Sequence, residues 1–112
     1  MKEIRVFFDY GCLPVWHYNT EDSLGVPELP EKRKHAEELQ NIFEEIEERY
    51  EALFINTPQE FTYRGFQSEK ARQEFHKLYK RGIELLKKDY GADYKLEYDD
   101  DLSELDEAER NE

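Results

Sequence analysis

The sequence predicts an α+β fold, a two-layer sandwich in which a small, mainly antiparallel sheet carries two amphipathic helices on one face. Three observations predict it. Short runs near both ends alternate apolar and polar residues with a period of two, the pattern of a half-buried strand. Two long internal stretches repeat their apolar residues at helical spacing instead. And although 39% of the residues are charged, 14% are aromatic, a ring content that disordered chains lack and that a folded core can use. One-faced helices and a one-faced sheet bury their apolar sides together most simply as two layers.

Residues 2–9 set Ile4, Val6 and Phe8 against Arg5, Phe7 and Asp9, so a strand is expected there. Phe7 on the second face suggests a central strand covered on both sides. Gly11 and Pro14 turn the chain, and residues 15–19 resume a strand with Trp16 and Tyr18 on one face and His17 on the other. Residues 20–29 read as a polar loop. Pro30, followed by Glu31, suits a helix start. Leu39, Ile42, Phe43, Ile46, Tyr50, Leu53 and Phe54 then form one apolar stripe, which predicts a helix over residues 30–55. Residues 57–60 have the spacing of a capping box, but residues 61–64 alternate like a strand, and a short strand or extended crossover is expected over residues 60–66. Ser68 suits an N-cap, and Ala71, Phe75, Leu78, Tyr79, Ile83 and Leu86 give a second helical stripe that ends at Gly91. Tyr94, Leu96 and Tyr98 make a last strand.

At 112 residues the chain is one domain, residues 1–98, followed by an acidic tail over residues 99–112. Residues 97–112 hold nine acids against Arg110 alone, a net of −8 within the −12 of the whole chain. A negative chain lacks the basic footprint that direct nucleic-acid binding needs. The charge suits a basic partner, or solubility alone. One Cys forms no internal disulfide, and no run is long and apolar enough for a signal peptide or membrane span, so a cytoplasmic protein is expected.

Cys12 and His17, with Asp9 to orient a base, have the residue types of a nucleophile–base pair. The plainer reading of a lone Cys in a ring-rich hairpin is a small buried hydrophobe. Cys12, His17, His35 and His76 match no compact metal-ligand spacing, so no metal is expected. No phosphate-binding loop or dinucleotide fingerprint is present, so no cofactor is expected either. Trp16 and Tyr18 are candidate interface anchors, because Trp and Tyr dominate interaction hot spots; core packing is the rival reading. The acids of the first helix and of the tail are the candidate charged contacts, with a solvated face as the rival for the helix.

The stretch FDYGCLPVW over residues 8–16, then ERYEALFIN at 48–56 and EFTYRGF at 60–66, resembles small acidic immunity proteins of bacterial polymorphic toxin systems of the contact-dependent inhibition type. The likeness spans most of residues 4–90. It implies a cytoplasmic non-enzyme that binds one toxin domain tightly and blocks it. No contact residues carry over, because immunity surfaces differ with each toxin. The charge adds the expectation of a basic target, such as a nuclease. Contacts are expected from Glu44, Glu48 and Glu51 on the first helix and from Asp99, Asp100 and Asp101 in the tail, with Trp16 or Tyr18 as apolar anchor. An acidic DNA-mimic inhibitor of a nucleic-acid-binding protein is the first alternative. A small Cys/His enzyme and a housekeeping accessory subunit are the others. Whether the chain is a monomer or a homodimer is left open.

Overall fold

A computed structural model describes residues 2–19, 22–99 and 102, with the backbone alone at residues 19 and 22–24. The elements run β1 (Lys2–Arg5), β2 (Trp16–Asn19), β3 (Asp22–Val26), α1 (Ala36–Glu51), β4 (Phe54–Thr57), β5 (Glu60–Tyr63), α2 (Glu69–Tyr90) and β6 (Tyr94–Glu97). Four strands form one sheet in the order β3-β2-β1-β6. The β1–β2 and β2–β3 pairs are antiparallel, and β1–β6 is parallel. This is the expected α+β arrangement. A second, two-stranded sheet made of β4 and β5 was not expected.

Ile4, Val6 and Tyr94 are buried with Phe43, Ile46, Phe75 and Leu86 of the helices in a single core. Phe8 stacks on Tyr50 of α1 at 4.8 Å and lies against Phe75 and Tyr79 of α2. At the other end of the sheet, Tyr94 meets Tyr90 of α2 edge-on. The helices therefore cover the face that carries Ile4 and Val6. β1 is interior to the sheet as expected, but its second face has no covering layer among the described residues. Phe7 lies beyond the strand end, is 39% exposed and stacks on Trp16 at 4.8 Å and 12°.

Four local expectations are corrected. Residues 20–29 are not all loop: β3 pairs with β2 although Asp22, Ser23 and Gly25 are poor strand formers. Glycine at position 25 leaves room for the Tyr18 ring, since a Cβ would sit 2.5 Å from Tyr18 Cζ. The first helix starts at Ala36 rather than Pro30, because residues 31–35 are held elsewhere. Arg33 pairs with Glu31 and Asp93, donates to the Asp89 carbonyl, and lies over the rings of Tyr90 and Tyr94. Tyr94 donates to Glu31 at 2.6 Å; that hydrogen bond, with Arg33, lowers the Glu31 carboxyl to about 2. His35, the N-cap, has no side-chain cap of its own. Its backbone N–H and ring nitrogen instead meet the two oxygens of Asp89, both at 2.7 Å, so a carboxylate from α2 caps α1 across 54 positions and favours the positive end of its dipole.

The first helix also ends earlier, at Glu51. Leu53 stays in the core, but Phe54 opens β4, which turns through Pro58 and Gln59 into β5. The backbone N–H groups of Arg64 and Gly65 both donate to the Leu53 carbonyl, at 2.7 and 3.2 Å, and tie the hairpin to the end of α1. Gly65 has φ +79, so its lack of a side chain permits that return. α2 keeps its expected start, with Ser68 Oγ accepting the Ala71 N–H at 3.1 Å. Gly91 closes it, but in right-handed conformation at φ −62. The reason for glycine there is space: a Cβ would fall 2.5 Å from the Lys87 carbonyl oxygen.

Candidate protein-binding surface

Two surfaces combine exposed rings with charge. The first is the uncovered sheet face. The register Glu3↔Tyr18, Arg5↔Trp16 and Arg5↔Glu97 puts these residues on one side. Arg5 lies over the Tyr18 ring at 4.5 Å and pairs with Glu3 and Glu97; Lys95 also reaches Glu97. The charged groups thus satisfy one another and the face is close to neutral. Trp16 is half-buried beneath Phe7, and its indole N–H is shielded from solvent without a hydrogen-bond partner among the described residues, an arrangement that costs stability.

The second surface lies on the helix side. Glu44, Glu47, Glu48 and Glu51 follow one another along α1, and none of them makes an ion pair among the described residues. Glu44 accepts from Gln40, whereas the neighbouring Glu45 is neutralised by Arg49. Burial, aided by the charges of Glu51 and Glu44, pushes the Glu47 carboxyl above its usual range. Glu51 accepts the Gly11 N–H at 3.0 Å, which fixes the loop carrying Tyr10 against the end of the row. Tyr10 in turn lies edge-on to Phe54 and Phe61 at 5.2 and 4.9 Å, and its hydroxyl receives the Asn56 amide. Phe54 stacks on Phe61 and meets Tyr63 and Tyr50 edge-on. The chain of rings runs from the core outward and ends at Phe61, which is 55% exposed.

The expected contact residues are therefore divided. Trp16 and Tyr18 belong to the sheet face, and Glu44, Glu48 and Glu51 to the helix side, so one flat partner surface does not cover both sets. Asp99 is exposed beyond β6; Asp100 and Asp101 lie outside the described residues. The sequence reading missed Tyr10, Phe54, Phe61 and Tyr63. The alternation Phe61–Tyr63 signals a ring-bearing strand, but the first half of its partner strand, residues 54 and 55, falls inside the expected helix. Cys12 is half-buried in the loop, its N–H bonded to the Asp9 carbonyl, and His17 Nε2 lies 3.5 Å from Glu28 Oε1. Among the described residues no three or more His, Cys, Asp or Glu are grouped to hold a metal, and no helix is long and apolar enough to cross a membrane.

A family model described as Serratia CdiI immunity protein-like matches residues 2–101 of the chain. No curated protein matches it.

Proposed function

The chain belongs to the Serratia CdiI immunity protein-like family, and on that premise we propose that it is the cognate immunity protein of a toxin domain, which it binds and neutralises in the cytoplasm. The family match over residues 2–101 carries the reading. The net charge of −12 supports the finer part, a basic toxin domain of the kind that acts on nucleic acid, because a cleft built for phosphates presents the cations that such a surface attracts. The family match supports inhibition by binding rather than by catalysis. Charge complementarity speeds the encounter, while buried rings slow dissociation.

The test is co-expression with the product of the gene immediately upstream. Toxicity of that product alone, growth rescue by this chain and co-purification of the pair are expected. A toxic upstream product that this chain neither rescues nor binds refutes the proposal.

A further inference from the structure

The toxin-binding reading leaves open which of the two surfaces meets the partner, and the structure supplies grounds for choosing. We infer that the partner docks where the α1 acid row meets the rings of the β4–β5 hairpin, with Phe61 and Tyr10 as anchors and Glu47 and Glu51 facing cationic side chains of the partner protein. The inference rests on the proposed function and deepens it by naming the surface.

Four observations favour this site over the sheet face. Charge comes first: Glu3, Arg5, Lys95 and Glu97 pair among themselves, so a basic partner gains little there, whereas the α1 row presents carboxylates that no cation of the described chain neutralises. Second, Phe61 is the most exposed of the large apolar side chains among the described residues, at 55%, and rings at the centre of a contact contribute most to affinity. Third, rings and carboxylates are contiguous, because the Gly11–Glu51 hydrogen bond holds Tyr10 at the end of the row. An Arg of the partner placed there would meet a ring face and a carboxylate at once, the two groups its flat guanidinium binds best. Fourth, the hairpin is pre-ordered by the double hydrogen bond to the Leu53 carbonyl and by ring-on-ring contacts, so little freedom is lost on docking. The raised Glu47 carboxyl accords with this, since a cation would relieve the repulsion from Glu44 and Glu51.

The experiment is a binding titration of the full chain against the toxin domain encoded immediately upstream, comparing wild type with Phe61→Ala and Trp16→Ala. Phe61→Ala is expected to weaken binding by about 30-fold or more, and Trp16→Ala by less. A Phe61→Ala complex within about threefold of wild type overturns the surface assignment while leaving the immunity function intact. No complex with the wild-type chain overturns the proposed function and this inference with it. Hydrogen exchange on the unmutated chain gives a reading free of any folding defect. Slowed exchange on complex formation over residues 9–11 and 54–63 supports the site; slowing confined to residues 2–5, 16–19 and 94–97 overturns it.

Discussion

Replacing Gly82 with alanine sets two effects of similar size against each other. An alanine inside a helix is favoured over glycine by about 1 kcal/mol. At this position, however, the new Cβ would lie 3.1 Å from Phe43 Cζ and 3.2 Å from Ile42 Cγ2, inside the optimal carbon–carbon separation of about 3.5–4.0 Å. Phe43 is fully buried, so it can withdraw only by displacing its own neighbours in a close-packed interior. Overpacking of this kind costs about 1–3 kcal/mol. The second effect is the larger, and Gly82→Ala is expected to destabilise by about 1 kcal/mol net, lowering Tm by about 4 °C for a domain of this size. Urea unfolding followed by Trp16 fluorescence measures it, with an unchanged slope as the control for two-state behaviour. In a Phe43→Leu background the nearer obstructing carbon is gone and only the Ile42 contact remains, so the same Gly82→Ala change should be less destabilising than in the wild type. A gain of about 1 kcal/mol in the wild-type background, as propensity alone dictates, would refute the claim that close helix approach is what requires glycine.

The remaining predictions concern charge. Glu47 titrates above its ordinary value of 4.5 in the folded chain, so its ionised form opposes folding as the pH rises through that value; Glu47→Gln should raise the urea midpoint at pH 7, with the gain vanishing below pH 4.5. Asp89 is only 4% exposed; burial works to raise its pKa, but the hydrogen bonds from His35 outweigh burial and leave it below 3.8. Its stabilising contribution is therefore complete above 3.8 and lost as the pH falls through the lower folded value, and Asp89→Ala should cost about 1–3 kcal/mol at pH 7. Glu31, held at about 2, contributes stability that fades between 4.5 and about 2, so Glu31→Gln should flatten that part of the acid-unfolding curve. Association with the toxin domain should slow steeply with added salt while dissociation changes little, checked by stopped-flow at several ionic strengths; a salt-independent association rate would count against the electrostatic part of the proposal.

How far the sequence discloses the fold depends on whether the deciding partner is near in the chain. α2 was legible at both ends because Ser68 caps Ala71 three positions away and Gly91 closes onto Lys87 four away. α1 was legible in its middle and misjudged at both ends. Its start is set by Asp89, which no local pattern around Pro30 announces. Its end was obscured because Leu53 remains buried after the helix has stopped, so the apolar stripe outruns the structure that produced it. With residues 54 and 55 read as the end of the helix, the strand pairing Phe54↔Tyr63 and Asn56↔Phe61 has no partner strand to be read from, and the ring surface goes unseen. β3 carries too little strand preference to be recognised without β2 beside it. The acid row along α1 was legible, because charge and helical spacing are properties of the sequence itself. Which side of the molecule Trp16 shares was not, because that depends on which sheet face the helices cover.

The parallel pairing of β1 with β6 has a consequence for how the chain comes into being. Ile4 pairs with Leu96, so β1 is made well before the strand that pairs with it in parallel and waits for it. At bacterial synthesis rates of about 5–20 residues per second, that wait is roughly 5–20 s. Throughout it the edge of β1 that β6 will occupy stays open, the condition in which nascent strands seek wrong partners. Because β1 lies between β2 and β6, a ribosome that stalls before residue 94 leaves a sheet without its closing strand. Fragments released that early lack the framework that orders the α1 row and the hairpin together, and so should not occupy a toxin domain in competition with finished copies.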